Sequence, residues 1–401
     1  MGIEITVGQH EGDIIGSTHI ALQAAVDYVA GLGGGVVTIG PGEYLMRDSV
    51  HLRSGVTLRG SGEATVLKKC DGVWTPLATD GDYGEEQITV VDPTGFKVGM
   101  GVTVGYQTPA DFHVTVARIT GRVDDNTFVL DRPLVNDYIA EKGARAQTTF
   151  PVISGYHVEG VRIENLAVDG NRANNPYLGG CRGGGVFLYR AHGAQIRGVL
   201  VRDYNGDGIS YQQSDDVLVE DCTVINCADK GFHPGSGSQR TTIRRCRATG
   251  NGQIGIFLCW RVRHSLFEEN ECDKNAVAGF SIGHKDTDNL FRKNVVRNNG
   301  RFGVLFRNET YALAGHRNRF EHNVIVNNGK DGKGYGVYIG GETEGVQLVE
   351  NTIGNVPEGD EAGYQAVGVW IGEKAAQATL EGNKFPGVEF EVQHAAPASA
   401  S

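Results

Sequence analysis

A glycine that introduces a short apolar segment returns at an almost constant interval through the middle of the chain. The successive intervals are 23, 23, 24, 24 and 24 residues, followed by two longer ones of 33 and 32 residues. These glycines are Gly185, Gly208, Gly231, Gly255, Gly279, Gly303, Gly336 and Gly368. A constant period of roughly 20–50 residues indicates a repeat architecture, in which each unit buries its apolar face against its neighbours. The longer intervals indicate turns that carry insertions.

A second column of small or amide residues follows the same period. It consists of Cys222, Cys246, Asn270, Asn294, Asn323 and Asn351, which end segments such as VEDC, FEEN and LVEN. Short alternating strands with such a residue at one corner predict an all-β chain. The period predicts a right-handed parallel β-helix, a single-stranded solenoid of about 24-residue coils. Equivalent residues of stacked coils form columns, so we expect the asparagine amides to bond one another and the turn backbone.

The sequence predicts that the chain divides into four parts, with the repeat in the third. Residues 1–83 should hold a capping helix, N-capped by Ser17, and the first coils, because apolar residues recur there at helical spacing. Residues 84–150 break the period and indicate a small antiparallel β insert. The main β-helix should occupy residues 151–386, and the low-complexity end, residues 387–401, should be a disordered tail.

Composition narrows the partners that this chain can have. Glycine makes up 59 of 401 residues, which fits many tight turns between short strands. A net charge of -11 without a basic tract argues against a nucleic-acid partner. No apolar run reaches the roughly 18 residues of a membrane span, so no membrane is expected. The start lacks the features of a signal peptide, which leaves a cytoplasmic location or secretion with the signal removed. The seven cysteines have no zinc-site spacing and are expected to be buried free thiols.

Alternation along each strand predicts which side chains face outward. The residue after each repeat glycine is apolar and should point inward, so the second and fourth residues should point outward. The outer face, with the turn after it, is expected to carry the candidate site over about six coils, roughly 25 Å. The residues that we expect to bind substrate there are Arg190, Gln212, Gln213, Trp260, Arg261 and Asp286. The residues expected to be catalytic are Tyr211, His233, His284, Lys285, Arg307 and Glu309.

The segment KGFHPGSGSQ differs from its neighbours in the repeat. It places Pro234, Gly235 and Gly237 beside His233, where the other coils carry larger side chains. We expect these small residues to keep the surface low, so that a substrate can approach the imidazole ring closely. Aromatic rings, cations and amides on one face are the groups that an acidic oligo- or polysaccharide would require.

Three segments carry a resemblance to a known family. They are ALQAAVDYVAGLGGGVVTIGPGEY, NLAVDGNRANN and GFHPGSGSQRTTIRRCRATGNGQIGIFL. The pattern resembles the pectate-lyase-like β-helix superfamily, and is most similar to the catalytic modules of mannuronan C5-epimerases and their alginate-lyase relatives. The likeness covers most of the chain outside residues 84–150. The resemblance implies a parallel β-helix that acts on a polysaccharide.

The resemblance also implies where this chain departs from those epimerases. Their corresponding strand carries an acid, a proline, a histidine and a second acid. In this chain those positions hold His233, Pro234, Gly235 and Ser236, so only the proline is kept. A glycan-processing face with different catalytic groups is therefore expected.

Two chemistries fit such a face. Uronate β-elimination or C5-epimerisation needs a cation that neutralises the sugar carboxylate, a base and a proton donor. Arg261, Lys285 or Arg307 could supply the cation, and His233 or His284 the base. Tyr211 would be the proton donor, if its strand twists outward. No metal ion or other cofactor is expected.

Glycoside hydrolysis is the alternative reaction, because it needs two carboxylates on either side of one bond. Coil stacking could bring Asp286 and Glu309 into that arrangement. A third possibility is a glycan-binding β-helix without catalysis, since one fold supports many functions.

Overall fold

The computed structural model describes residues 2–106, 113–330, 333–357, 364–376 and 378–395. The chain divides into two compact units. Unit 1 consists of Met1–Leu188 with Val199–Ser210, and unit 2 of Tyr189–Gly198 with Tyr211–Ser401.

Unit 1 begins with a helix that packs on parallel strands. The helix spans His19–Gly31, and its N-cap is Thr18 rather than the predicted Ser17. The helix buries Leu22, Ala25, Val26 and Val29 completely, which is the expected apolar stripe. The strands of the first coils are Ile3–Gly8, Ile14–Ile15, Gly35–Ile39, Gly42–Met46, Val50–His51, Val56–Lys69, Ile153–Glu159, Arg162–Asp169 and Leu200–Arg202. They pair in parallel, as in stacked coils.

The insert of unit 1 is a six-stranded antiparallel sheet with a core of its own. Its strands, in spatial order, are Trp74–Pro76, Ala144–Gln147, Gly101–Tyr106, Thr115–Arg122, Thr127–Leu130 and Gln87–Thr89. Alternate apolar residues such as Ile119, Phe128 and Leu130 face that core. The sheet starts at Trp74, before the predicted boundary at residue 84. Two 3₁₀ turns, Ala140–Lys142 and Arg172–Asn174, complete the unit.

Unit 2 is built from coils with three parallel strand columns. The first column contains Gln195–Arg197, Leu218–Glu220, Thr242–Arg244, Leu266–Glu268, Leu290–Arg292, Arg319–Glu321, Gln347–Val349 and Thr379–Glu381. The second contains Thr223–Ile225, Arg247–Thr249, Glu271–Asp273, Val295–Arg297, Val324–Val326 and Thr352–Gly354. The third contains Phe232–Ser236, Ile254–Phe257, Cys259–Trp260, Ala278–Ile282, Phe302–Phe306, Gly334–Ile339, Gln365–Ile371 and Phe390–His394. Strands Val186–His192 and Ile209–Gln212 contain residues of both units, and Tyr311–Leu313 forms a 3₁₀ turn.

Register across these columns follows the period read from the sequence. Leu218 aligns with Thr242, then Leu266, then Leu290, in steps of 24 residues. The predicted all-β fold of stacked parallel coils is confirmed. The predicted disordered tail is wrong in part, because Phe390–His394 pairs in parallel with Gln365–Ile371. Residues 396–401 of that tail lie outside the described residues.

Aromatic rings stack along the interior of unit 2. The centroids of Phe267 and Phe291 are 4.7 Å apart, and those of Phe291 and Phe320 are 4.2 Å apart, with nearly parallel planes. Phe280 meets Phe291 edge-on at 5.2 Å. Because each coil repeats the same inward positions, rings of successive coils lie over one another and fill the core.

The asparagine column forms the predicted hydrogen-bonded chain. The side-chain oxygen of Asn294 accepts hydrogen bonds from both the backbone N–H and the amide Nδ2 of Asn270, each at 3.0 Å. Asn294 in turn donates from Nδ2 to Asn323 at 2.8 Å and to the carbonyl of Phe267 at 2.9 Å. Cys246 occupies the same corner, with its backbone N–H donating to Asn270. All seven cysteines are free thiols, and only Cys70 is not buried.

Candidate active site on the outer sheet face

The third strand column presents one face to the core and the other away from it. Phe232, Ile256, Phe280 and Val304 follow the repeat glycines and are all buried, as predicted. The residues one step further form a register column on the opposite face, which we call the outer face. That column contains His233, Phe257, Ser281, Leu305, Tyr338 and Trp370.

His233 lies on the outer face but beneath other side chains. It is 1% exposed, and its ring meets Phe257 edge-on with centroids 5.0 Å apart. The space beside Gly235 is filled, because a Cβ there would lie 2.6 Å from the side-chain oxygen of Gln212. Gln212 is itself buried and its Nε2 donates to the carbonyl of His233 at 3.5 Å. The expectation of a cleared space beside an accessible His233 is therefore wrong.

His284 and Glu309 form a close pair of ionisable groups on this side of the coils. His284 Nε2 lies 2.7 Å from Glu309 Oε1, and both side chains are partly exposed. His284 Nδ1 lies 3.3 Å from the thiol of Cys259. Burial lowers the pKa of His284, and the Arg307 cation lowers it further while Glu309 opposes the shift. Burial raises the pKa of Cys259 to about 12, so its sulfur stays a neutral thiol.

Arg307 is held in place beside this pair. Its Nη1 donates to Ser281 Oγ and its Nη2 to the carbonyl of Leu258, both at 2.8 Å. Its guanidinium lies 4.7 Å from the centroid of Phe257. These three contacts, on two neighbouring coils, hold the guanidinium in one position.

Asp286 supports Arg307 from below. Its carboxylate lies 3.4 Å from Arg307 Nη2 and accepts the backbone N–H groups of Val262 and Gly283 at 2.9 and 3.0 Å. The side chain is 0% exposed, and burial raises the pKa of Asp286 to about 7. The expectation that Asp286 contacts substrate is therefore wrong, because its carboxylate faces the protein interior.

Tyr211 does not reach the outer face. It is completely buried, and its hydroxyl contacts Thr241 Oγ1 at 2.5 Å. Burial raises the pKa of Tyr211 well above its usual value. The expectation that Tyr211 donates a proton to substrate is wrong, since its strand does not twist outward.

The other predicted residues lie near the ends of strands or in the turns that follow them. Trp260 contacts His284, with ring centroids 4.6 Å apart. Arg261 is exposed and Lys285 half-buried. Arg190 Nε donates to Gln213 Oε1 at 3.1 Å, and this pair belongs to coils that precede the one of His233.

The structure therefore brings part of the predicted set together. His284, Glu309 and Trp260 are in direct contact. Arg307 lies close enough to His284 to lower its pKa, and Lys285 follows His284 directly in the chain. Within the described residues, Arg190 and Gln213 contact each other but have no direct contact with this group.

Sequence reasoning missed the aromatic continuation of the outer face. Tyr338 and Trp370 stack with centroids 4.1 Å apart and planes 8° apart, and Tyr335 meets Tyr338 at 5.4 Å. Both Tyr338 and Trp370 stand two residues after a repeat glycine, at Gly336 and Gly368. The two repeat glycines therefore indicated these positions in the sequence. The predicted outer face did not include them, because it ended before the turns that carry insertions.

A buried ion pair on the same side also went unnoticed. Lys230 Nζ lies 2.6 Å from Asp229 Oδ2 and 5.1 Å from the ring centroid of Phe257. Lys230 stands directly before Gly231, a position that is apolar in the next coils. The sequence indicated this site by a lysine at a position where the next two coils carry Ile254 and Ala278.

Within the described residues, no three His, Cys, Asp or Glu side chains are grouped so that they could hold a metal ion. Among the helices of the described part of the chain, none is long and apolar enough to cross a membrane.

Comparison with known proteins defines the class of the chain. Residues 184–353 match the family model described as "Right handed beta helix region". A comparison with curated protein sequences found no match. The predicted fold is confirmed: the chain is a right-handed parallel β-helix.

Solved structures of similar fold come from several kinds of protein. One is the A-module of the Azotobacter vinelandii mannuronan C-5 epimerase AlgE6, with a TM-score of 0.59, 18% identity and coverage of 94% of this chain and 95% of the other. The A-module of AlgE4, from the same organism, has a TM-score of 0.59 and 15% identity, with 98% of each chain covered. PfbA, a surface adhesin of Streptococcus pneumoniae, has a TM-score of 0.56 and 14% identity, over 99% of this chain and 96% of the other. At these identities the likeness is one of fold.

Proposed function

We propose that this protein is a polysaccharide-active enzyme that removes the C5 proton of a uronic acid sugar, by β-elimination or C5-epimerisation. The observation that carries the proposal is the 2.7 Å contact between His284 and Glu309 on the outer side of the coils, next to Arg307. A base held by a second group, near a fixed cation, is what abstraction of a proton beside a carboxylate requires.

Glu309 is the proposed proton acceptor. Both ring nitrogens of His284 have partners: Nε2–H donates to Glu309, and Nδ1 accepts from the thiol of Cys259. His284 is the only side chain that contacts the Glu309 carboxylate among the described residues. Glu309 Oε2 can therefore receive the C5 proton, while His284 orients the carboxylate through Nε2–H. In elimination the C5–H electron pair forms the C4=C5 bond, the C4–O4 bond breaks, and protonated Glu309 returns its proton to O4. In epimerisation C5 takes a proton from solvent on its opposite face.

Fixed cations beside this pair are proposed to neutralise the sugar carboxylate. Neutralisation is needed because a negative carboxylate opposes the charge that develops at C5. Arg261 and Lys285 have no carboxylate partner in the described part of the chain, so they can bind the sugar's carboxylate directly. Arg307 adds a positive field from its fixed position. Trp260, half-buried at the edge of the group, is proposed to pack against a sugar ring.

Similarity of fold to proteins named mannuronan C-5 epimerases supports an acidic polysaccharide as the substrate. The net charge of -11 is not an obstacle, since Arg261, Lys285 and Arg307 make the site itself positive.

Hydrolysis by Asp286 and Glu309 has less support than proton abstraction. The carboxylate of Asp286 is fully buried and bound to Arg307, so it cannot flank a glycosidic bond together with Glu309. Glycan binding without catalysis is favoured by one observation, the row of aromatic rings at Phe302, Tyr335, Tyr338 and Trp370. Such rings can support a sugar chain without an ionisable group nearby.

A panel of acidic and neutral polysaccharides tests the proposal. Elimination produces an unsaturated sugar that absorbs in the ultraviolet, and epimerisation changes the sugar signals in NMR spectra without cleaving the chain. Hydrolysis yields reducing ends without that absorbance. Reducing ends alone, or no change with any polysaccharide, would contradict proton abstraction.

A further inference from the structure

Unit 1 contains a cleft that the proposed reaction does not use. It lies between the first strand of the insert and the segment around the 3₁₀ turn Arg172–Asn174, and its volume is about 530 Å³. The residues that line it are Asp71, Gly72, Trp74, Arg145, Ala173, Asn174, Asn175 and Pro176. Every one of them belongs to unit 1.

An exposed indole and a cation stand side by side in this cleft. Trp74 is 55% exposed, although a large apolar ring is usually buried. The guanidinium of Arg145 lies 5.3 Å from the centroid of the Trp74 ring. The two residues come from antiparallel neighbours, where Gln147 pairs with Trp74 and Arg145 with Pro76.

Arg145 has an unsatisfied charge. Its side chain is half-buried, and burial lowers its pKa, which means that its charged form is poorly solvated. In the described part of the chain no carboxylate lies within ion-pair distance of it. An anionic group bound beside Trp74 would supply the missing partner.

Asn175 supplies an acceptor that has no donor. The side chain is 8% exposed, and its Nδ2 donates to the carbonyls of Cys70 at 3.1 Å and Asn171 at 3.0 Å. These two bonds fix the amide, so Oδ1 faces Gly72 at the edge of the cleft. Oδ1 is buried and has no hydrogen-bond partner within the described residues. The amide therefore forms a fixed part of the cleft wall.

The remaining polar groups are already ordered. Asn171 Nδ2 donates to Asp71 Oδ1 at 2.8 Å, and Asn174 Nδ2 donates to Asn171 Oδ1 at 2.9 Å. Gly72 packs closely against Asn175, since a Cβ there would lie 2.5 Å from Asn175 Oδ1. An aromatic platform with fixed planar polar groups is the chemistry by which proteins bind sugars.

We propose that this cleft of unit 1 is a second carbohydrate site, which binds one or two units of an acidic glycan. A sugar ring packs on the exposed Trp74 and its carboxylate binds Arg145. The inference rests on the proposed function only for the identity of the glycan. A site of this kind would hold a long chain while the reaction proceeds elsewhere on it.

Fluorescence of a single tryptophan tests this site directly. The chain has three tryptophans, so the double variant Trp260→Phe/Trp370→Phe leaves Trp74 as the only one. The probes are tetrasaccharides of mannuronate and of galacturonate, with cellotetraose as the neutral counterpart. We expect a saturable change of Trp74 emission with at least one uronate tetrasaccharide, and binding at least about tenfold weaker for cellotetraose. Equal binding of cellotetraose, or no saturable change with any probe, would overturn the inference.

Variants separate the cleft from the proposed active site. Measured by calorimetry, Trp74→Ala and Arg145→Gln should each weaken tetrasaccharide binding about tenfold, which corresponds to 1.4 kcal/mol. Tyr83→Ala removes an exposed ring that does not line the cleft and should leave binding unchanged. His284→Ala, in the tryptophan double variant, should not alter the Trp74 response. A Trp74 response without turnover would refute the proposed function alone, and turnover without a Trp74 response would refute the cleft alone.

Discussion

His284 and Glu309 contact each other at 2.7 Å although they belong to consecutive coils. His284 follows the strand Ala278–Ile282 and Glu309 follows the strand Phe302–Phe306, and these two strands pair in register. Stacking at the strand spacing of about 4.8 Å is what brings the two side chains together. A reaction centre at this position thus depends on the repeat period itself.

Replacing Glu309 with glutamine tests its role as the base. The amide can still accept a hydrogen bond from His284, but it cannot accept a proton. We expect kcat to fall at least about 100-fold while the melting temperature changes little. His264→Ala, at an exposed histidine of the same unit, is the matched control and should leave kcat unchanged. Glu309→Gln with kcat within about threefold of the parent would remove Glu309 from the mechanism.

The pH profile tests the environment of His284. Burial and Arg307 lower the pKa of its imidazole below the usual 6.5, so the ring stays neutral to more acidic pH. If protonation of His284 stops the reaction, the acidic limb of kcat/KM lies below pH 6.5. Arg307→Gln removes one cause of the lowered pKa and should move that limb to higher pH. If the acidic limb stays at the same pH in Arg307→Gln, that limb reports the protonation of a group other than His284.

Asp286 should give the protein a stability that depends on pH. Burial raises its pKa from the usual 3.8 to about 7 in the folded protein, whereas the unfolded chain keeps the usual value. Its contribution is therefore complete below pH 3.8 and is lost as the pH rises through about 7. Urea unfolding across this range should show a fall in the free energy of unfolding that is smaller in Asp286→Asn. An equal fall in both proteins would mean that the pKa of Asp286 is not raised in the folded protein.

Asn294 should stabilise the fold far more than its exposed neighbour Lys293 does. Asn294→Ala leaves two donors of Asn270 and the carbonyl of Phe267 without partners inside the protein. We expect the free energy of unfolding to fall by about 3 kcal/mol. Lys293→Ala is the control: its surface ion pair with Glu269 is long, at 3.8 Å, so its loss should cost less than about 0.5 kcal/mol. A similar loss of unfolding free energy in both variants would mean that the asparagine column does not stabilise the fold.

We expect His233 to contribute to the stability of the fold rather than to catalysis. His233→Ala removes a buried ring that packs on Phe257, which should lower the free energy of unfolding by about 2–4 kcal/mol. His233→Phe keeps a ring in that place and should retain most of the stability and of the activity. Thermal unfolding and turnover of both variants check this. Loss of turnover in a fully stable His233→Phe would restore His233 as a catalytic candidate.

The repeat could be predicted because its cause is local and periodic. Glycines at constant spacing and the asparagine at one corner fix where each coil turns, and Asn270 and Asn294 bond as their spacing requires. Strand alternation also predicted correctly that Phe280 and Val304 face the core. These features need only the chain geometry of one coil.

What covers the outer face could not be predicted in the same way. Alternation assigns His233 to the outer face, but its burial depends on the sizes of Phe257 and Gln212 in neighbouring coils. Asp286 lies in a turn, and whether its carboxylate points out or toward Arg307 is decided by the backbone N–H groups it accepts. Side-chain packing between coils decides whether such residues are exposed or buried. The repeat period gives no information about that packing.

Exchange of the C5 proton with solvent is the most direct test of the account. The polysaccharide panel, incubated with the protein in D₂O and followed by NMR, reports proton abstraction whether the product is eliminated or epimerised. We predict deuterium at C5, or loss of that proton in an unsaturated product, for at least one uronic acid polymer, and neither with Glu309→Gln. Cleavage of a polymer whose C5 positions keep their protons would contradict the central claim.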